Sequence, residues 1–139
     1  MSEAPIGIGD LFSGGNSCDE ESRSNSESEG RFHQQFEIAT VEICNNTFKI
    51  RQFSFHEANA NQIWPGTYRL AEFMTSNSES YVNKKLLELG AATGALSLYL
   101  RRLDNRFNIC TSDIDDGGLV ESNIAYNFEL NGKKFISIY

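Results

Sequence analysis

The sequence predicts an α/β fold in which a short parallel sheet follows a β-hairpin. The first observation is a compact apolar run, residues 84–89, that ends in a glycine-containing turn at residues 90–94. The second is helical periodicity directly after this turn, followed by another short apolar run. The third is an alternation of apolar and polar residues over residues 36–56, interrupted by two asparagines. Strand, glycine turn, helix and strand within about thirty residues make a parallel β-α-β unit.

The first 34 residues predict a disordered acidic tail. Residues 1–30 contain seven acidic side chains and one basic side chain, and serine and glycine fill much of the remainder. A segment with so few apolar residues cannot bury enough surface to offset the entropy of ordering. A phosphorylated regulatory tail is the sharper alternative, because serines stand among the acids there: Ser17, Ser22, Ser24, Ser26 and Ser28.

Charge and cysteine content narrow the class of protein. The 139 residues carry a net charge of −7, but residues 31–139 hold twelve acidic and eleven basic side chains, so this part gives no electrostatic case for binding nucleic acid. No apolar run reaches the roughly 18 residues of a membrane span, and the N-terminus lacks the features of a signal peptide. The odd set Cys18, Cys44 and Cys110 contains no C-x-x-C pair. We therefore expect no metal site, no membrane contact and a cytoplasmic or nuclear location.

The hairpin and the first helix follow from local patterns. Residues 36–56 alternate as two strands, and Asn45 with Asn46 predicts the turn between them, because asparagine tolerates positive φ. The hairpin begins a folded part that we place at residues 35–139. Pro65 and Gly66 then precede a stripe of apolar residues at helical spacing, which predicts a helix over 66–75.

Residues 84–113 form the predicted β-α-β unit. After the turn at 90–94, Leu96, Tyr99, Leu100 and Leu103 recur at helical spacing, and a second short strand ends near Asp113. A further helix over 117–130 and a strand over 134–139 complete the prediction.

The turn at residues 90–94 suggests an adenosine-containing cofactor. In such sheets ligands lie beyond the carboxyl ends of the strands, where glycines let backbone amides approach them. Asp113 stands 19 residues after Gly94, near the offset at which an acid binds ribose hydroxyls. A dinucleotide fingerprint needs glycines at the positions of Ala92 and Ala95, so the spacing argues against a dehydrogenase.

The run Glu88 to Gly94, ELGAATG, resembles motif I of class I, seven-β-strand S-adenosylmethionine-dependent methyltransferases. It departs from that motif at Ala92, where the family has its middle glycine. Trp64 upstream, with TSDID and ESNIAYNFELNG downstream, is similar to the family-16, protein-lysine-methyltransferase-like enzymes. The resemblance covers residues 36–132 and implies a partial Rossmann-like parallel sheet.

The resemblance also implies the cofactor and its contacts. S-adenosylmethionine would bind with its methionine part along the turn and its amino group near Glu88. Its ribose would contact Asp113 and its adenine would lie against Ile114. Trp64 would form a wall of the cofactor pocket. The implied cofactor-binding residues are Trp64, Glu88, Gly90, Ala91, Ala92, Gly94, Asp113 and Ile114. The matching helix asparagines, Asn123 and Asn127, we take as structural. No catalytic residue is identified, because catalysis in such enzymes is mainly placement of the reactants.

Simpler interpretations stay open beside these. Gly90 and Gly94 could serve only a tight turn, Asp113 could cap the next helix, and Trp64 could be a core anchor. Asp115 and Asp116 are better cap candidates than Asp113. A lone histidine without a placed partner is most often on the surface, which is how we interpret His56.

The predicted sheet is short for this class. Class I methyltransferases need seven strands, and we count about three, so we expect a C-terminally truncated form whose first β-α-β strand has one open edge. The predicted function is transfer of a methyl group from S-adenosylmethionine to a protein, on lysine, with activity of this short chain in doubt. The alternative is a non-catalytic form that binds a partner or a full-length relative through the open sheet edge.

Overall fold

The computed structural model describes residues 34–114 and 116–135, and it confirms the predicted α/β fold class. Seven helices and strands follow one another in these ranges: β1 (Phe36–Ile43), β2 (Asn46–Phe53), α1 (Pro65–Ser76), β3 (Lys85–Leu89), α2 (Ala95–Leu103), β4 (Asn108–Ser112) and α3 (Leu119–Leu130). A short 3₁₀ turn, Ser78–Ser80, lies between α1 and β3. The acidic tail predicted over residues 1–34 lies outside the described residues, except for Gln34.

The hairpin forms one residue away from the predicted turn. β1 and β2 pair antiparallel, and Ile43 stands opposite Asn46, which leaves Cys44 and Asn45 as the two turn residues. Both have positive φ, 47° and 62°, as a tight hairpin turn requires. Asn46 instead supports the turn, because its Nδ2 donates to the Cys44 carbonyl at 2.9 Å. The prediction that Asn45 and Asn46 make the turn was therefore wrong by one position.

Helix α1 extends one residue beyond the predicted range 66–75 at each end. Pro65 begins it, as proline's fixed φ suits a first helical residue. At its other end the helix continues to Ser76. Thr75 Oγ1 donates to the Ala71 carbonyl at 2.7 Å and lies 2.7 Å from the Tyr99 hydroxyl, so α1 is tied to α2 at that point.

The parallel pair is the predicted β-α-β unit. β3 and β4 pair in parallel, with Glu88 opposite Thr111, and α2 connects them. One face of the pair packs beneath α2, which buries six consecutive residues from Ala95 to Leu100. On the opposite face Leu87 and Leu89 are exposed by 54% and 74% of their surface. The sheet is thus covered on one side only in the described part of the chain.

Helix α3 holds the hairpin against the rest of the fold through three asparagines. We call Asn123, Asn127 and Asn131 the asparagine ladder; they stand four residues apart on one helix face. Asn127 Oδ1 accepts the Arg51 amide at 2.7 Å, and its Nδ2 donates to the Arg51 carbonyl at 3.1 Å. Asn131 makes the same pair of bonds with the Lys49 backbone, at 3.1 and 2.7 Å. The ladder therefore takes the place of a neighbouring strand along the outer edge of β2, and the structural interpretation of Asn123 and Asn127 is confirmed.

The C-terminal predictions have mixed outcomes. α3 begins at Leu119 rather than residue 117, because Gly117 and Gly118 have φ of 78° and 83° and are outside the helical region. The strand predicted over 134–139 lies largely outside the described residues, and Lys134 and Phe135 are not in a strand. Within residues 34–114 and 116–135, we find no helix whose length and apolar character would let it cross a membrane.

Candidate functional site

The glycine turn, residues 90–94, joins β3 to α2 through left-handed backbone. Gly90, Ala92 and Gly94 have φ of 64°, 49° and 73°. A side chain in this region costs roughly 1–2 kcal/mol, so Ala92 is strained. The expectation that alanine here occupies a position suited to glycine is confirmed. The turn closes with a hydrogen bond from the Gly94 amide to the Ala91 carbonyl at 2.7 Å.

The two glycines of the turn meet different surroundings. A Cβ on Gly94 would lie 2.6 Å from Ile124 Cγ2, which no real Cβ tolerates, so Gly94 lets α3 pack directly on the turn. A Cβ on Gly90 would meet no atom within 4 Å. Gly94 is thus required for packing, whereas Gly90 is required only by its φ and leaves the space above it open to a ligand.

Asp113 at the end of β4 folds back onto the glycine turn. Its Oδ2 accepts the Ala92 amide at 2.5 Å, and its Oδ1 accepts the amide of Ile114 at 2.7 Å. Two oxygens of a carboxylate offer about four acceptor positions, so the half-exposed group retains capacity for further donors. The alternative that Asp113 caps the next helix is wrong. Asp116 has that role, since its Oδ1 accepts the Leu119 amide at 2.8 Å and the Val120 amide at 3.2 Å.

Glu88, the last-but-one residue of β3, lies beneath the same turn. Its Oε2 accepts both the backbone amide of Ser97, at 3.1 Å, and the Ser97 hydroxyl. Burial raises the pKa of Glu88, and the negative charge of Asp113 adds to that rise, while the Ser97 hydrogen bonds oppose it. Two carboxylates therefore stand on either side of the turn, close enough for one to affect the other.

Trp64 and Ile114 are both exposed, and they belong to different segments of the chain. Trp64 precedes α1, is 48% exposed, and donates from Nε1 to the Asn59 carbonyl at 3.1 Å. The core-anchor interpretation of this tryptophan is therefore wrong. Ile114 directly follows Asp113 and is 52% exposed. Both side chains are therefore accessible to a ligand. Trp64 is fixed by its hydrogen bond to Asn59 and not by the glycine turn.

His56 was expected on the surface, and this was wrong. It is buried, and its Nε2 lies 3.0 Å from Asp116 Oδ2. The pKa of Asp116 is lowered: burial acts to raise it, but hydrogen bonds from His56 and from the amides of Val120 and Leu119 outweigh that effect. The sequence did not reveal this partner, because it lies 60 residues away along the chain.

A cleft of about 650 Å³ opens beside this pair. We call residues 54–58 the post-hairpin segment; they line one side, and Ile114, Asp116 and Leu119 line the other. Within the described residues, no group of three His, Cys, Asp or Glu side chains is arranged to hold a metal ion.

The comparison with known families agrees with this geometry. A family model described as lysine methyltransferase matches residues 44–137, which include the glycine turn, Asp113 and the asparagine ladder. The chain belongs to the lysine methyltransferase family. The resemblance to class I S-adenosylmethionine-dependent methyltransferases is thereby confirmed.

The chain is also similar to a putative uncharacterized protein of Dictyostelium discoideum, with 32% identity over 68 residues. That alignment covers 49% of this chain and 18% of the relative, so the chain spans less than a fifth of the relative's length. The lysine methyltransferase family uses S-adenosylmethionine in general and acts on protein substrates.

Proposed function

We propose that this chain binds S-adenosylmethionine at the glycine turn and takes part in methyl transfer to lysine of a protein. The observation that supports it best is the contact of Asp113 with the Ala92 amide, at 2.5 Å, next to open space at Gly90. An acid suited to ribose hydroxyls and a turn open to a ligand thus meet at the carboxyl ends of two parallel strands, where this type of sheet binds its ligands. The bound group would supply an electrophilic methyl on a sulfonium.

The residues around the turn have distinct proposed roles. Gly90 would admit the methionine part of the cofactor, and Asp113 would accept from the ribose hydroxyls with the acceptor capacity that Ala92 and Ile114 leave. Ala91 and Ala92 would contribute shape rather than amide donors, because their amides already bond to Ser112 and Asp113.

Three further side chains complete the proposed site. Glu88 would orient the amino group of the cofactor, Ile114 would contact its base, and Trp64 would wall the pocket. Gly94 would serve the site indirectly, because it lets α3 pack on the turn. We assign no general base: catalysis would rest on aligning and desolvating a neutral lysine amine.

Calorimetric titration of the chain with S-adenosylhomocysteine tests the proposal. We expect saturable binding with one site per chain, and loss of binding in Asp113→Ala. The matched control is Asp104→Ala, which removes a carboxylate at the far end of α2 and should bind as the wild type does. No binding by a folded wild-type chain, or equal binding by Asp113→Ala, would overturn the assignment.

Methyl transfer needs a separate measurement. The chain would be incubated with S-adenosylmethionine and a library of lysine-containing peptides, and methylated lysine would be detected by mass spectrometry. We expect methylation that disappears in Asp113→Ala. Cofactor binding without any transfer would restrict the chain to a binding role.

The second candidate is a non-catalytic protein that binds a longer relative through β3. It is favoured by exposed Leu87 and Leu89, and by pairing of β3 with β4 alone among the described strands. A strand added at the open edge would pair with the backbone of β3, beside these side chains. Analytical ultracentrifugation of the chain mixed with a full-length relative should show a complex that Leu87→Lys abolishes; separate species in the wild-type mixture would refute this candidate.

We also propose a cytoplasmic or nuclear location, supported by free Cys44 and Cys110 within the described residues. Fluorescence microscopy of a tagged chain should show a diffuse signal in one of those compartments, and a signal confined to the secretory pathway would contradict it.

A further inference from the structure

Five basic side chains gather at the end of α2 that lies away from the glycine turn. Two stand in the last turn of α2, two follow α3, and one is on β2. We call them the basic face: Lys49, Arg101, Arg102, Lys133 and Lys134. Because they come from three parts of the chain, only the tertiary fold brings them together.

Hydrogen bonds join the parts of the chain that carry these residues. Asn131 binds the Lys49 backbone twice, at 3.1 and 2.7 Å, which places Lys49 beside the turn that leads from α3 to Lys133. Arg101 Nη1 donates to the Lys134 carbonyl at 2.6 Å, which ties the end of α2 to the same turn. These contacts bring the basic residues of β2, α2 and the end of α3 to one surface.

Both arginines of the basic face lie over buried aromatic rings. The guanidinium carbon of Arg101 is 5.4 Å from the ring centroid of Phe128, and that of Arg102 is 5.2 Å from the ring centroid of Phe48. Phe48 directly precedes Lys49, so the second contact also joins α2 to β2. A guanidinium held on a ring keeps its planar fork of donors, which can bind a carboxylate with two hydrogen bonds.

Acidic side chains do not neutralise the basic face. Within residues 34–114 and 116–135, none of its cations forms an ion pair with a carboxylate. The C-terminal ends of α2 and α3 together offer about one unit of negative charge, which leaves an excess of about four positive charges. Lys49, Arg102 and Lys134 are exposed, so this excess faces solvent. A ligand rich in carboxylates is the chemical complement of such a surface.

We propose that the basic face docks an acidic segment of the protein substrate, while the glycine turn at the other end of α2 holds the cofactor. The nine residues of α2 span about 14 Å, a distance that a few residues of extended substrate cover. The acids of the substrate would then lie several residues away from the lysine that is methylated. This inference rests on the proposed function, because it names the class of protein that the same reaction would modify.

A protein segment fits this surface better than nucleic acid does. The chain has a net charge of −7, which repels a long polyanion, whereas a short acidic segment contacts the basic face alone. The rings of Phe48 and Phe128 under the arginines are each 1% exposed, so they offer no surface on which a base could stack.

Fluorescence anisotropy with a fluorescein-labelled peptide of alternating glutamate and glycine tests the docking surface without any cofactor. We expect saturable binding by the wild type, and about tenfold weaker binding by Arg102→Gln, which loses one charge-assisted pair. Arg102→Lys keeps the charge but loses the planar fork, so its loss of affinity should be smaller. The matched control is Arg69→Gln, which removes an exposed cation on α1 and should bind as the wild type does.

Two kinds of result would refute this docking surface. The first is a folded wild type that does not bind the peptide, or Arg102→Gln binding it no more weakly than Arg69→Gln does. The second is tighter binding of a single-stranded oligonucleotide that carries the same charge as the peptide, which would overturn the choice of an acidic protein segment.

Methylation kinetics test the substrate role of the basic face. Two peptides with the same lysine would be compared, one with a run of glutamates and one with glutamines in their place. In the wild type the acidic peptide should have a KM about tenfold lower, and Arg102→Gln should remove that difference while kcat and binding of S-adenosylhomocysteine stay unchanged. Equal KM values in the wild type, or transfer to neither peptide, would overturn the substrate role. A folded wild type that binds the acidic peptide but not S-adenosylhomocysteine would instead overturn the proposed function and leave the docking surface in place.

Discussion

The asparagine ladder and the glycine turn use polar chemistry in opposite ways. Asn123 and Asn127 are fully buried, and their amides are satisfied by β2 and by the turn itself. The turn has one strained residue, Ala92, and open space above Gly90, and two carboxylates lie beside it. A hydrogen bond joins the ladder to the turn: Asn127 Nδ2 donates to the Thr93 carbonyl at 3.0 Å. We therefore expect substitutions in the ladder to reduce stability, and substitutions on the open side of the turn to reduce ligand binding.

The largest effect should come from Asn127→Ala. It removes three hydrogen bonds and leaves the Arg51 amide, the Arg51 carbonyl and the Thr93 carbonyl without this partner in a buried place. We expect a loss of about 3–5 kcal/mol in the free energy of unfolding, measured in urea. Asn131→Ala, at the more exposed end of the ladder, should cost only about 1 kcal/mol. Equal losses in the two variants would contradict the view that stability depends on the buried part of the ladder.

The two glycines of the turn separate packing from ligand access. Gly94→Ala should lower the free energy of unfolding by about 2–4 kcal/mol, because it adds both backbone strain and a 2.6 Å clash with Ile124. Gly90→Ala should cost roughly 1–2 kcal/mol, from positive φ alone. Thermal unfolding followed by circular dichroism measures both. If Gly90→Ala destabilises as much as Gly94→Ala, the space above Gly90 is not open.

The pH dependence of stability should depend on Glu88. Because burial raises the pKa of this acid above its ordinary value of 4.5, the folded chain holds the proton more tightly than the unfolded chain. The stabilisation that comes from protonated Glu88 is fully present below the unfolded-state pKa, and it is lost as pH rises through the folded-state pKa.

Urea unfolding across pH checks this prediction. Wild-type stability should fall relative to Glu88→Gln as pH rises above about 4.5. Glu42→Gln, which changes an exposed carboxylate on β1, is the control and should follow the wild type. Parallel curves for wild type and Glu88→Gln would contradict the assigned direction.

The smallest effect should come from Ala92→Gly. Glycine relieves the positive φ at this position but has more entropy to lose on folding, so we expect a gain of about 0.5 kcal/mol in unfolding free energy. Ala91→Gly is the matched control, because Ala91 is not left-handed, and it should lower stability. A loss in both variants would mean that Ala92 is not strained.

Local patterns predicted the helices and strands better than they predicted contacts. The alternation over 36–56 and the glycine turn at 90–94 identified the hairpin and the β-α-β unit, because period and turn chemistry are local. The hairpin turn was misplaced because Cys44, which has no special tolerance for positive φ, occupies a left-handed position. The burial of His56 was missed because its partner, Asp116, is distant in sequence.

The ladder shows what the sequence could have revealed and what it could not. Asparagines at 123, 127 and 131 share one helix face, and this spacing was a readable signal for a common partner. Nothing local identified that partner as the backbone of Lys49 and Arg51. At the candidate site, the offset from Gly94 to Asp113 predicted their proximity through β-α-β geometry, whereas the cleft wall formed by the post-hairpin segment depends on the tertiary fold.

The proposed cofactor site is the open side of the glycine turn. A titration with S-adenosylhomocysteine, followed by the fluorescence of Trp64, should be run on the wild type and on Gly90→Arg, with circular dichroism on the same samples. We expect a saturable change in the wild type and no change in a folded Gly90→Arg chain, because the arginine would occupy the space above the turn. A folded wild type that does not respond, or the same affinity in both chains, would contradict it.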